Sequence, residues 1–251
     1  MSATQSRRAA TISIVGPGRL GRAAATALRA AGYRVNGPTG RGEPVESVDI
    51  VLLCVPDREI AAAVRAVRAG AGLVGHTSGA TTLGDSGADF GLHPLRAFVG
   101  DEGPDAFRGI GCAVAGVSPE ALSTAEALVV AVGGEAFTVT DEQRAGYHAA
   151  ASIASNFFVT LAAAAEATGA AAGLDPVVLR RHLVPLVRGT VDNWAQHGPR
   201  AALTGPVARG DEVTVDRQRE AIRSGTPAEL PLFDILVERT RALSAAEENT
   251  A

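Results

Sequence analysis

The spacing that carries most chemistry is the glycine triplet Gly16, Gly18 and Gly21 in TISIVGPGRLGR, a G-x-G-x-x-G pattern between an apolar run and a helical stretch. Glycine at the first position permits a tight turn, at the second it leaves room for a pyrophosphate, and at the third it lets helix and strand pack closely. Pro17, Arg19 and Leu20 complete the loop, and a helix opening there offers N–H donors and a positive dipole end to phosphates. The pattern points to dinucleotide binding, against the plainer alternative of a turn with no ligand. An acid about 20 positions on would mark an NAD site. Here the second apolar run ends at Val35 and Asn36, and Arg19, Thr39 and Arg41 are close enough in sequence to meet a 2′-phosphate. The reading is therefore NADP, with Arg41 equally a solvated surface charge.

Reduction of a carbonyl or imine also needs a proton donor and groups that orient the substrate. His93, after an apolar run and before Pro94, is the first candidate, since imidazole titrates near neutrality. Its alternative is a histidine that only bonds a backbone carbonyl. Ser78, in the turn His76, Thr77, Ser78, Gly79, could bond substrate or simply shape the turn. His148, Ser152 and Asn156 recur every four residues, on one stripe of an expected helix. A buried amide there must be hydrogen-bonded, which makes Asn156 the third catalytic candidate. In ALTGPVARGD, Arg209 could grip a carboxylate, with Thr204 and Asp211 beside it. An internal Arg209–Asp211 ion pair is the competing reading.

The elements that must position these groups follow from the periodicity. Up to about residue 139, short apolar runs alternate with helical stretches, which predicts an α/β fold with a Rossmann-type, mostly parallel sheet. Strands are expected at 11–15, 33–36, 48–55, 73–77, 90–93, 111–115 and 136–139. GPTGRGEPVE is too rich in glycine and proline for a helix, so the second crossover should be a loop. Ser118-Pro119, Asp175-Pro176 and Thr226-Pro227 each read as a capping residue before a first-turn proline. From 140 onward the texture is all-helical, beginning with one helix over 141–172. The expected domains are therefore 1–139, dinucleotide-binding, and 140–251, a helical substrate and dimerisation domain.

Taken together, GPGRLG, DIVLLCVPD, GHTSGA, GLHPLRAF, SIASNFFVTL and ALTGPVARGD resemble the two-domain Rossmann-like proteins whose C-terminal helical half is a domain of unknown function. These sit in the 6-phosphogluconate dehydrogenase-like, pyrroline-5-carboxylate reductase-like and ketopantoate reductase-like group. The resemblance implies a nicotinamide over the strand ends, near Cys54, Val55 and Pro56 and the turn His76 to Gly79. It also implies substrate between the domains, with the helix face that carries Asn156 meeting the nicotinamide, and a homodimer through the helical half; for His148 and Ser152 a substrate contact and a plain helix–helix contact stand as equal alternatives. In this group hydroxyacid dehydrogenases and ketopantoate reductases use a lysine donor, and this chain contains no lysine. GLHPL is also similar to the G-x-H-P-M segment of prephenate dehydrogenases, whose histidine bonds the reacting hydroxyl. Genes of the family often neighbour pantothenate-synthesis genes in actinobacteria, which hints at 2-dehydropantoate.

With 251 residues, 46% of them hydrophobic, the chain can fill a sizeable core, and a net charge of −4 disfavours nucleic acid or anionic membrane as partner. Cys54 and Cys112 lie in apolar runs with no ligand cluster around them, so no metal site or disulfide is expected. MSATQSRRAATIS lacks a signal-like apolar run, and the expected location is the cytoplasm. The uncharged stretch 145–165 is span-length but too polar for lipid, hence a core or interface helix. The function these features favour is NADPH-dependent reduction of a small 2-oxo acid such as 2-dehydropantoate. Imine reduction, a prephenate-type dehydrogenase and a non-catalytic NADP(H)-binding sensor or assembly protein are the alternatives.

Overall fold

The computed structural model describes residues 10–40 and 42–245. The chain divides into two compact units, Met1–Ser155 and Asn156–Ala251.

The first unit is built on a seven-stranded sheet of β1 (Thr11–Val15), β2 (Arg34–Thr39), β3 (Val48–Leu53), β4 (Ala71–His76), β5 (Phe90–Pro94), β6 (Gly111–Gly116) and β7 (Glu135–Thr138). Its spatial order is β2-β1-β3-β4-β5-β6-β7. Neighbours from β2 across to β5 are parallel, β6 is antiparallel to β5, and β7 runs parallel to β6. The mostly parallel sheet expected from the sequence is thus present, and the chain reverses its side of β1 between β2 and β3. In such sheets the crevice at that reversal, outside the carboxyl ends of the strands, is where ligands bind.

The apolar runs of β1 and β3 reflect burial on both faces, as parallel central strands require. Ile12, Ile14, Ile50 and Leu52 pack on one face with α1 (Arg19–Ala30) and, further along the chain, the helix Pro119–Ala131. Val15, Val51 and Leu53 pack on the other with α2 (Ile60–Val67) and α3 (Leu83–Ser86). The helix Pro119–Ala131 is α4, and Ser118 Oγ accepts the Ala121 N–H at 3.2 Å, the cap its sequence predicts. No helix lies between β2 and β3 among the described residues, also as expected. β2, however, runs on to Thr39. Arg29 of α1 donates to the Val35 and Gly37 carbonyls, and Gly16 N–H donates to Thr39 O at 2.9 Å, which ties the glycine-proline segment to the sheet.

The first helix after the sheet, α5 (Arg144–Ala154), belongs with the sheet unit, so the division falls beyond the expected 139/140. The physical reason is Arg144, 1% exposed, whose Nη1 donates to Ser78 O at 3.2 Å. Asp141 holds the same junction. Its two oxygens accept the Leu83 and Gly84 N–H groups at 3.0 and 3.1 Å, and Arg144 Nε lies 3.4 Å from Oδ1.

The second unit contains α6 (Asn156–Ala171), α7 (Pro176–Ala201), α8 (Glu212–Gly225) and α9 (Leu230–Ala245). Asp175 caps α7 by accepting the Val178 N–H at 2.9 Å. Thr226 makes no such cap, and its hydroxyl pairs instead with that of Thr168. The single helix expected over 141–172 is interrupted at Ser155, where φ −116 and ψ −71 depart from helical values. Within Arg144–Ala171 an 18-residue stretch reaches a mean hydropathy of 1.3, long and apolar enough to cross a membrane by length and composition only. Nor is 145–165 a core helix of the chain: Phe157, Phe158 and Val159 are exposed.

Replacing Asp141 with alanine leaves two N–H groups and a buried guanidinium short of an acceptor. Asp141→Ala should lower the unfolding free energy in urea by about 2 to 4 kcal/mol. A loss below about 0.5 kcal/mol would contradict its role as the junction's anchor.

Candidate functional site

The three glycines of the β1–α1 turn do separate physical jobs. Gly16 has φ +110, and a Cβ there would lie 2.3 Å from Cys54 O, so the turn presses on the end of β3. A Cβ on Gly21 would lie 2.0 Å from Gly16 O, so the helix presses on the turn. Gly18 is exposed and a Cβ there would meet nothing within 4 Å. That open position begins α1, whose N-terminus has no side-chain cap and no acid in its first turn. The first N–H groups of a helix have no intrahelical partner, so an uncapped start beside open space is the combination an anionic phosphate requires. Arg22 stiffens the loop by donating to Pro17 O at 2.7 Å. The residues present therefore fit a dinucleotide's pyrophosphate.

Around this cradle the expected residues separate. Arg19 and Asn36 are exposed, Leu20 packs against the core, and Arg41 lies outside the described residues. Thr39 anchors the turn: its hydroxyl donates to Ile14 O at 3.3 Å and its carbonyl accepts from Gly16 N–H. Cys54, Val55 and Pro56 follow β3 at the carboxyl edge, and Cys54 N–H donates to Val15 O at 2.7 Å. Burial pushes the Cys54 thiol up to about 12, against a smaller opposing bond from Thr77, so it is no nucleophile.

A second constellation stands at the carboxyl ends of β4 and β5. His93 Nδ1 lies 2.6 Å from the Tyr147 hydroxyl, and the His148 ring centroid is 6.2 Å from that of His93. Gly79 lets the turn approach these rings: a Cβ there would be 2.8 Å from His93 Cε1 and His148 Cδ2, and 2.9 Å from His93 Nε2. Ser78 Oγ accepts the Ala80 and Thr81 N–H groups at 3.2 and 3.0 Å, so it shapes the turn while keeping its own proton to donate. His76, fully buried, accepts the Ser78 N–H on Nδ1 at 3.2 Å. Its neutral ring therefore carries the proton on Nε2.

That His76 Nε2 and the Arg144 Nη2 are buried without a partner. Both flank Gly91, where a Cβ would lie 2.5 Å from Arg144 Nη2 and 3.5 Å from His76 Cε1. Burial first, then the Arg144 charge, lowers His76 to about 4. Burial, His148 and Arg144 lower His93 to about 4 as well. Both rings are thus neutral donors at physiological pH, and burial raises Tyr147 to about 12.

Arg144 and Tyr147 went unnoticed in the sequence, although Arg144, Tyr147 and His148 stand at i, i+3 and i+4 on one helix face. Other expectations need correction. Asn156 is exposed at the start of α6, beyond the interruption at Ser155, so it is neither a buried amide nor on one continuous stripe with His148 and Ser152. Asp211 is a helix cap, accepting the Thr214 N–H at 3.1 Å and hydroxyl at 2.7 Å, and its carboxylate is thereby used. Arg209 and Thr204 are exposed in the second unit. Among the described residues no group of histidine, cysteine or acidic side chains could hold a metal.

The family model described as a domain of unknown function, DUF2520, matches residues 110–240, about half of the chain. This protein belongs to the DUF2520 family. No curated protein matches this DUF2520 chain. Among solved structures it is similar to a Bacteroides fragilis protein whose name proposes an NADP oxidoreductase, at 21% identity and TM-score 0.77 over 94% of this chain and 99% of that one. A Thermotoga maritima protein with no activity in its name is 24% identical, with TM-score 0.75 over 93% and 98% of the two chains. An Aspergillus terreus reductive aminase in complex with NADPH and ethyl-5-oxohexanoate gives 18% and 0.58 over 94% and 98%. At such identities the likeness carries the fold, a Rossmann-type unit followed by the helical DUF2520 region.

Two outcomes follow from the geometry. Gly21→Ala should cost about 2 kcal/mol or more of unfolding free energy, because the new methyl meets backbone, whereas Gly18→Ala should stay within about 1 kcal/mol. Equal losses would refute the division of labour. For His76, the unfolded ring protonates near the ordinary 6.5 while the folded ring resists until about 4. Stability is therefore full above pH 6.5 and falls as pH drops toward 4, by on the order of 3 kcal/mol for this group. His76→Asn should visibly flatten that decline in urea titrations at pH 7 and 4.5, and an unchanged slope would contradict the assignment.

Proposed function

We propose that this protein is an NADP-dependent oxidoreductase that reduces a small 2-oxo acid, with 2-dehydropantoate the first member to test. The observation that carries the reading is the open Gly18 position at an uncapped helix start, in the reversal crevice next to strand ends bearing neutral donors. The N–H groups of the α1 N-terminus would hold the pyrophosphate. The exposed Arg19 and Asn36, with no acidic residue within β2 itself, favour a 2′-phosphate over a free ribose, and the carboxylate just beyond the strand, Glu43, is used in accepting the Gly40 N–H at 3.0 Å. When bound, the cofactor supplies hydride. The protein's own part is electrostatic: His93, neutral at pH 7, donates a hydrogen bond to the oxygen on which charge develops, solvent water supplies the proton that completes the alcohol, and the Ser78 hydroxyl orients the substrate. The unpartnered donors of Arg144 and His76 keep this region electropositive, which suits an acidic substrate. His148 remains a proposed substrate contact of this site, and Arg209 and Thr204 remain proposed carboxylate contacts on the second unit by itself. A homodimer through the helical unit fits the exposed Phe157, Phe158 and Val159.

Imine reduction is the second reading, favoured by one observation: His93 titrates at about 4 and the chain has no lysine, and an iminium needs no strong acid. NADPH oxidation against panels of 2-oxo acids and cyclic imines separates the two. Turnover of a 2-oxo acid, with His93→Asn lowering kcat about 10²- to 10³-fold, is expected. Turnover of imines alone selects the second reading. Gly18→Val should abolish NADPH binding in either case, and a variant that binds normally would remove the basis for both.

A further inference from the structure

We propose that Tyr147 is the positioning residue that fixes the tautomer of His93, its hydroxyl donating to Nδ1 so that the ring proton sits on Nε2, beside Gly79. The consequence for catalysis rests on the function proposed above; the tautomer itself does not.

The two groups come from separate elements, His93 from β5 and Tyr147 from the first turns of α5. Their 2.6 Å separation is a strong hydrogen bond, and the rings stand nearly perpendicular at 86° with centroids 5.6 Å apart. Phe137 of β7 meets the Tyr147 ring edge-on, with centroids 5.9 Å apart, and holds it in place. The direction of the bond follows from what each atom offers. An unprotonated imidazole nitrogen is a good acceptor, and a phenol donates more readily than it accepts. With the proton on Nδ1 instead, the Tyr147 proton would need another acceptor, and the only bond of that hydroxyl among the described residues is to His93. Burial keeps the phenol protonated, as its rise to about 12 reflects, and the ring neutral.

Nε2 is the ring nitrogen next to the Gly79 backbone, where a Cβ would stand 2.9 Å away. Glycine keeps that edge of the ring open. In the proposed reduction Nε2–H is then a hydrogen-bond donor aimed at the carbonyl oxygen, whereas the other tautomer would present a lone pair to developing negative charge. Tyr147 thus makes a donor of a histidine that is too weak a base to carry a proton at pH 7, in a chain with no lysine to do so.

The test is the ¹⁵N spectrum of histidine-labelled full-length protein at pH 7, with the His93 signals assigned by their loss in His93→Asn. The wild type should show Nε2 protonated and Nδ1 bare. Tyr147→Phe keeps the ring and its contact with Phe137, and should convert His93 to a mixture of tautomers. It should also lower kcat about tenfold or more on a 2-oxo acid with NADPH affinity unchanged. A tautomer result as described upholds the assignment whether or not any 2-oxo acid turns over, so failure of the proposed reaction is read separately. A wild-type His93 with its proton on Nδ1 overturns the assignment without recourse to any variant, and so does a Tyr147→Phe spectrum identical to wild type.

Discussion

The buried guanidinium of Arg144 is the constraint around which the strand-end site is arranged. Burying such a group is costly unless its donors find acceptors. Asp141 and the Ser78 carbonyl supply acceptors for Nε and Nη1, leaving Nη2 unpartnered, and in doing so they tie the start of α5 to the turn after β4. The same cation makes a glycine necessary at Gly91 and opposes a second positive charge on His76 or His93. One interaction thereby decides where α5 sits and how the turn approaches β5, and its charge adds to the burial that keeps both histidines neutral.

The glycine turn imposes a complementary constraint at β1 and β3. Gly16 and Gly21 are locked between backbone groups, while Gly18 is left facing open space. Rigid walls on two sides and an uncapped helix start on the third give a site that needs no rearrangement to receive a phosphate. In the function proposed above, anion binding and donor chemistry come from loops at one carboxyl edge of the sheet, β1–α1 on one side and the ends of β4 and β5 on the other.

Much of this was legible in the sequence for local reasons. Apolar run lengths gave the strands, and Ser118-Pro119 and Asp175-Pro176 gave caps that form as read. The glycine spacing gave the tight turn with Gly18 left open, and His93 lies at the strand end where the sequence puts it. What escaped notice depended on tertiary contact. Arg144 looks like a surface charge in any window of sequence, because nothing local says that the Ser78 carbonyl, 66 residues earlier, will accept its hydrogen bond. Tyr147 gains its meaning only from a bond to a residue 54 positions away. Asn156 failed the opposite way: a perfect four-residue spacing was interrupted by one non-helical residue, Ser155. Asp211, read as a ligand, was spent locally as a cap, a role its Thr214 partner three residues on could have announced.

The proposal on which the account turns is that the glycine turn and a β2 strand without acidic residues together select a phosphorylated dinucleotide. Parallel fluorescence titrations of the full-length protein with NADPH and NADH measure it most directly. The account predicts saturable NADPH binding with NADH weaker by about tenfold or more, a difference of about 1.4 kcal/mol. Equal affinities, a preference for NADH, or no binding of either would contradict it.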